Sequence, residues 1–265
     1  MRKIVKIALG IEYQGTNYCG WQSQKHCESV QQFVQSALSV VANESIAVRC
    51  AGRTDTGVHA IGQVVHFETQ ANRPERAWIE GVNTNLPADI RVVWQKKVDD
   101  EFNARFSAFA RQYRYVIFNR EVHSAVLAKR VTWVREILDV EKMNLAAQTL
   151  LGENDFTSFR ALACQANNAN RNLQKISVTR NRDFIFVDIQ ANAFLHHMVR
   201  NIVGSLLKIG KGHKKTSWLV ELLDLKDRSK AAMTAPADGL YFVNAFYPEK
   251  YNLPRNELTE LLWNT

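Results

Sequence analysis

Along this chain the spacing of apolar residues switches repeatedly between two and 3.6, and this limits the possible folds more than any other feature. Val5, Ile7, Leu9, Ile11 and Tyr13 recur at every second position, which predicts a strand over 3–13. Ser29 followed by Gln32 has the form of a capping box. Val30, Phe33, Val34, Ala37, Leu38 and Val41 then follow at helical spacing, predicting a helix that ends near Asn43. Ile46–Cys50 and Gln63–Phe67 read as strands flanking a polar loop, Pro74 suits the first turn of a short helix over 74–82, and Ile90–Val98 reads as a strand. The order β-α-β-β-α-β is that of a ferredoxin-like unit. A second series predicts strands at 112–118 and 130–135, a helix at 140–151, strands at 173–179 and 184–190, helices at 195–209 and near 217–224, and a strand at 240–246. No long Pro/Gly/Ser linker intervenes. The expectation is an α+β fold of two ferredoxin-like α/β-sandwich lobes with antiparallel sheets, 1–105 and 106–265, meeting at a central catalytic cleft.

The charge distribution points to a polyanionic partner. The 265 residues hold 34 Lys+Arg against 26 Asp+Glu, a formal charge of +8. Residues 1–105 carry 12 basic against 11 acidic side chains, whereas 160–215 carries 10 against only 2. Such concentration reads as a face for nucleic acid rather than a uniformly solvated surface. No apolar run reaches the roughly 18 residues of a spanning helix, which leaves a membrane surface or nucleic acid as the anionic partner; nucleic acid, with no membrane, is the expectation. The basic and apolar N-terminus is interrupted by Lys6 and closed by Glu12, so it reads as a first strand rather than a signal peptide. Four cysteines, Cys19, Cys27, Cys50 and Cys164, are too sparse for a disulfide scaffold, and a reducing cytoplasm is the expected compartment.

The densest motif is Ala51-Gly52-Arg53-Thr54-Asp55-Thr56-Gly57-Val58-His59-Ala60, in the loop between two predicted strands. As a turn it needs only Asp and Thr bonding nearby amides and a positive φ at Gly57. As a site it offers Asp55, a carboxylate that a neighbouring cation can hold ionised for nucleophilic attack. The nearest sequence acids, Glu44 and Glu68, lie behind the flanking strands, so a two-carboxylate glycosidase has little support. A metal site is not indicated: His59 and His66 lack ligand spacing, and the adjacent His196 and His197 should diverge on a helix. P-loop and dinucleotide fingerprints are missing, so no redox cofactor is indicated. In Phe109–Phe118, Tyr113 and Tyr115 share one strand face and Arg114 takes the other. This is either an ordinary half-buried strand or a ring offered to an extruded base. Arg200 falls at the edge of an apolar helical stripe, where it either snorkels to water or pairs with an acid in a cleft.

Together these residues resemble the tRNA pseudouridine synthase A family over essentially the whole chain. The resemblance rests on Tyr13-x-Gly15 with Gly20-Trp21-Gln22, on Gly52-Arg53-Thr54-Asp55 with Gly57-Val58-His59-Ala60, and on Asn85-Leu86-Pro87. It continues through Ala104-Arg105-Phe106-Ser107-Ala108, Tyr113-Arg114-Tyr115, Asp155-Phe156-Thr157-Ser158-Phe159-Arg160, Phe194-Leu195 with Met198-Val199-Arg200-Asn201, and Thr234-Ala235-Pro236 with Gly239-Leu240-Tyr241. Gln14, where the family usually has Asp, and Asn154, where it often has His, depart from the pattern. The resemblance implies isomerisation of uridine to pseudouridine at nucleotides 38, 39 and 40 in the anticodon stem-loop of tRNA, by a homodimer without metal or cofactor. It assigns Asp55 as the catalytic aspartate, Tyr113 as the active-site tyrosine and Arg200 as the basic partner of the aspartate. Arg53 becomes a phosphate or gating contact. Two rival readings are a non-catalytic ferredoxin-like RNA-binding module and an RNA glycosylase that releases uracil. The first leaves the Asp55 motif without a role, and the second lacks an evident acid to activate water.

Overall fold

The computed structural model describes residues 4–162, 164 and 166–256. The fold is mixed α+β, and the chain divides into two compact units. One holds the described residues up to Phe109 and again from Phe242, and the other is Ala110–Tyr241. The sequence reading has the chain cross once, at 105/106; the chain crosses at 109/110 and returns at 241/242.

The first unit runs β1 (Val5–Tyr13), α1 (Val30–Ala42), β2 (Arg49–Cys50), β3 (His59–Thr69), a 3₁₀ turn at Glu75–Trp78, α2 (Glu80–Thr84) and β4 (Ile90–Val98). β1 pairs antiparallel with both β3 and β4, placing Ile7 opposite Phe67 and Lys97, and β2 pairs antiparallel with β3. α1 begins and ends where its sequence dictates. The Ser29 side chain accepts a bond from the Gln32 N–H, and Asn43 turns left-handed at φ 56° to stop the helix. Its inward residues Val30, Val34, Ala37 and Leu38 are at most 1% exposed. β2 is shorter than predicted. Ile46 and Val48 are buried as their alternation requires, yet their N–H groups donate to Ser39 Oγ (2.9 Å) and Gln35 Oε1 (3.1 Å) on α1. Helix side chains thus satisfy the backbone groups that a strand partner would otherwise take.

The second unit runs β5 (Ala110–Asn119), β6 (Thr132–Val134), α3 (Val140–Gln148), β7 (Gly152–Asp155), β8 (Asn170–Asn181), β9 (Phe184–Ala191), α4 (Met198–Gly210) and α5 (Trp218–Leu225). β9 lies between β5 and β8, antiparallel to both; β7 pairs with β8, and β6 runs parallel to β5. β10 (Leu240–Phe246) contains the boundary, and its residues from Phe242 join the first unit beside β3. There a Cβ on Gly62 would stand 2.0 Å from Val243 O, a closeness only glycine permits. Among the described residues no helix is long and apolar enough to cross a membrane. Cys19 and Cys27 are joined as a disulfide, although the sparse cysteines point to a reducing compartment. The Cys19 N–H donates to Glu28 O (2.9 Å), folding the segment back so that their Cα atoms lie 6.1 Å apart.

Candidate active site

The Asp55 loop connects β2 to β3 and is fixed at both ends by the sheet. Ala51 N–H donates to Val64 O (2.8 Å), and the Gln63 side-chain amide donates to Gly52 O (2.7 Å). Between them Val58 N–H closes a turn on Asp55 O (3.1 Å), with Gly57 at φ 79° in the position that requires it. Asp55 is half-buried, Thr54 buried and Arg53 exposed.

A second segment, 13–21, clamps this loop. Tyr13 and Thr54 share a hydroxyl–hydroxyl bond of 2.7 Å, and burial pushes the Tyr13 phenol far up its scale, so it stays neutral. Trp21 N–H donates to Thr54 O (3.0 Å) and Gly57 N–H to Tyr18 O (3.3 Å). His59 Nδ1 accepts the Gly15 N–H at 3.0 Å, which makes this histidine a structural acceptor. Gly20 sits at φ 84°, and a Cβ there would come within 2.4 Å of Thr54 O and 2.9 Å of the Asp55 carbonyl carbon. The sequence shows these glycines and aromatics as a block, but its role in holding Asp55 emerges only here. Two glycines near a buried Tyr and Trp were the available signal. Behind the loop, burial raises the Cys50 thiol to about 11 while the guanidiniums of Arg53 and Arg105 pull the other way. The thiol therefore remains protonated and inert at neutral pH.

In the second unit Tyr113 lies on β5 opposite Ile189, 8% exposed, with its ring edge-to-face on Phe194 at 5.0 Å. Its neighbours are structural. Tyr115 is fully buried, its hydroxyl bonded to Thr132 Oγ1 (2.5 Å) and donating to Pro236 O (2.8 Å). Arg114 is 5% exposed and holds Asp188 with two bonds, Nε–Oδ1 at 2.6 Å and Nη2–Oδ2 at 2.8 Å. The basic-aromatic alternation of this strand is thus a buried cross-strand ion pair at Arg114 rather than a cation facing a polyanion.

Arg200 stands in the first turn of α4, half-buried between Val199 and the wholly buried Asn201. Its Nε donates to Ala235 O (2.8 Å), and Ala235 N–H donates to Arg200 O (3.1 Å). Asn201 extends the strap: its Oδ1 accepts from Thr234 Oγ1 (2.6 Å) and Arg228 Nη2 (3.1 Å), and its Nδ2 donates to Phe159 O (2.7 Å). The Thr234-Ala235-Pro236 segment thus orients the guanidinium from one side. A Cβ on Gly204 would meet Met233 O at 2.1 Å, so a glycine is required for that segment to lie against the helix. The helix starts at Met198 rather than 195 because His197 is left-handed at φ 61°. His196 and His197 therefore precede the helix, and their rings come together at 4.0 Å instead of diverging.

The basic run 160–215 is only partly available to a ligand. Lys211 is paired with Glu136 (2.8 Å), Arg180 donates to Asn119 Oδ1 (2.8 Å) and Leu138 O (3.1 Å), and Arg171 donates to Asn168 O (2.9 Å) and Asn170 O (2.6 Å). Lys175, Arg182, Lys208 and Lys215 are exposed.

The family described as tRNA pseudouridine synthase matches residues 10–107 and 146–248, stretches that contain Arg53, Asp55 and Arg200. The chain belongs to this family. Tyr113 lies between the two matched stretches. A tRNA pseudouridine synthase A of Hydrogenovibrio crunogenus is 67% identical over 97% of this chain and 98% of its own length. Proteins of the same name are 59% identical in Escherichia coli, over 95% of this chain and 93% of their own, and 56% in Glaesserella parasuis, over 98% and 99%. The family's members are pseudouridine synthases, isomerases of tRNA, and the rival readings as a bare RNA-binding module or a glycosylase fall away.

Proposed function

We propose that this chain isomerises uridine to pseudouridine at nucleotides 38, 39 and 40 in the anticodon stem-loop of tRNA. The observation that carries the reading is identity of 56–67% to synthases of that name across nearly the whole chain. The reaction breaks the bond from C1′ of ribose to N1 of uracil, rotates the base and joins C1′ to C5; the C5 proton is lost to solvent and N1 takes one up, so the formula is unchanged. It is redox-neutral and transfers nothing to a second molecule, so it requires no redox cofactor or group carrier. Asp55 is the catalytic carboxylate, and its attack on C1′ or C6, or its support of a glycal route, needs no second acid to activate water, in keeping with a motif whose nearest sequence acids, Glu44 and Glu68, lie behind the flanking strands. Arg200 is the charge partner of that carboxylate, and its bond to Ala235 O supports the reading by fixing the guanidinium plane. Tyr113 stacks on the extruded base, and Arg53, exposed on the catalytic loop, contacts phosphate.

Each unit is read as a ferredoxin-like lobe. In the first, the antiparallel order β4-β1-β3-β2 supports this. The chain acts in the cytoplasm, where tRNA is modified, as a homodimer whose mass sedimentation would give. The exposed Lys175, Arg182, Lys208 and Lys215 of the basic second unit grip phosphates.

The deciding experiment is tritium release from C5-labelled uridine in tRNA. Asp55→Asn keeps size and loses the nucleophile, so release should vanish while tRNA affinity stays within a few fold, since affinity resides mostly in phosphate contacts. Activity above about a tenth of the parent would remove Asp55 from the covalent role.

A further inference from the structure

The Asn103–Ser107 turn holds an arrangement that the reaction as described above does not use. Phe106 at its tip is 77% exposed, a large apolar ring in water. The backbone that carries it is tied down by a set of hydrogen bonds. Asn103 Oδ1 accepts from the N–H groups of Arg105 (3.0 Å) and Phe106 (3.2 Å), Asn103 N–H donates to Ser107 Oγ (3.0 Å), and Ser107 N–H donates to Asn103 O (2.9 Å). The turn is anchored below as well. Ala104 N–H donates to His66 Nδ1 (3.0 Å), and the Tyr247 hydroxyl donates to Ala104 O (2.7 Å). The Arg105 guanidinium lies over the Phe106 ring, 5.3 Å from its centroid. The pattern continues nearby: Phe109 is 53% exposed, its ring is 6.3 Å from that of Phe246, and Arg255 lies over Phe246 at 5.6 Å.

We infer that this turn is an RNA-contact site of its own, at which Phe106 stacks on an unpaired nucleobase and Arg105 meets the adjoining phosphate. Two points favour RNA. A preorganised aromatic face beside a guanidinium matches one nucleotide, a flat base joined to an anion. Within Asn103–Ser107 the one charged side chain is Arg105; Asp99, Asp100 and Glu101 precede the turn, and Glu101 is paired with Lys250 (3.4 Å). Finally, both Arg105 and Arg53 act on the Cys50 thiol, the residue immediately before the Asp55 loop. The turn therefore belongs to the same region of the first unit as that loop. The inference rests on tRNA being the substrate, and it adds a binding determinant to that reading.

The test is a set of Phe106 variants assayed for tRNA affinity by filter binding and for KM and kcat by tritium release. Phe106→Ala should weaken binding about 5- to 150-fold, the range found for removing one base-stacking ring, with the loss falling on KM rather than kcat. Phe106→Trp should restore affinity, and Phe106→Leu, which is apolar but has no π face, should not. Arg105→Gln should flatten the slope of log K against log salt by up to about 1. Melting temperatures should stay near the parent's, because the ring is exposed. Parental affinity in both Phe106→Ala and Phe106→Leu would overturn the inference. So would recovery by Leu alone, or a loss of oligomeric mass in Phe106→Ala, which would assign the ring to contact between copies. Failure of the functional reading would look different, as parent enzyme that releases no tritium at all.

Discussion

Gly20 offers a way to move the catalytic carboxylate without touching it. At φ 84° the residue is in the left-handed region, and an added Cβ would lie 2.4 Å from Thr54 O. Ordinary contact begins near 3.4 Å, so Gly20→Ala must displace the Thr54–Asp55 backbone, or the 13–21 clamp, by about 1 Å. Misplacement on that scale costs roughly 100-fold in rate when a reacting group is involved. The left-handed alanine adds strain of order 1 kcal/mol, which lowers the melting temperature by a few degrees. Gly152→Ala is the matched control. Gly152 is also left-handed, at φ 90°, but nothing lies within 4 Å of its Cβ position. It should show the strain without the displacement, losing a similar amount of stability and almost no activity. Single-turnover tritium release at saturating tRNA, beside thermal denaturation, separates the two effects. If Gly20→Ala kept the parental rate, or if both variants lost activity in proportion to stability, the 13–21 segment would not be what positions Asp55.

Arg200→Lys should lower the rate by one to three orders of magnitude despite keeping the charge, because an ammonium cannot bond Ala235 O through Nε and still present a planar fork; single-turnover kinetics checks it. Tyr113→Phe keeps the ring and should leave kcat nearly intact if stacking is the role, whereas Tyr113→Ala should weaken substrate engagement by about 1–3 kcal/mol; KM and kcat for the pair decide. His66 is held neutral, its pKa lowered to about 4 by burial, then by Lys6 and Arg49, from an unfolded value of 6.5. The unfolded chain therefore binds the extra proton first, and stability should fall as pH drops from 6.5 to 4, by up to about 3 kcal/mol in total. Denaturant melts of His66→Gln should show a flatter profile across that window.

How much the sequence revealed depended on whether a contact was local. α1 was fully legible, because Ser29, Gln32 and Asn43 lie within or beside the helix they define. β1 was legible from its alternation, and β4, β9 and β10 from the apolar and aromatic residues within their own spans. β7 was missed because Gly152-Glu153-Asn154-Asp155 is polar throughout. It is a strand only because its backbone pairs with Asn170–Leu173 of β8, and no side-chain pattern records such a partner. The shortening of β2 follows from Ser39 and Gln35, helix residues whose inward polar atoms gave no periodic signal. Around the candidate site the motif itself was plain. What supports it (Gly20 against Thr54, Ala235 against Arg200) joins residues more than thirty positions apart, and sequence spacing carries no information about such pairs.

The return of the chain at Phe242 affects how the protein is made. The strand beside β3 and the Asn256 side chain, which donates to Ile61 O (2.7 Å), are the last described residues to be translated. At about 5–20 residues per second, the ribosome needs on the order of ten seconds to complete Ala110–Tyr241 before they emerge. During that interval the Asp55 loop already exists, but the part of the β3 edge that β2 does not cover has no partner from β10, the kind of edge that recruits foreign strands. The nascent first unit therefore depends on its own second unit folding promptly, or on a chaperone. A ribosome stalled anywhere in Ala110–Tyr241 would hold a sheet that cannot be completed.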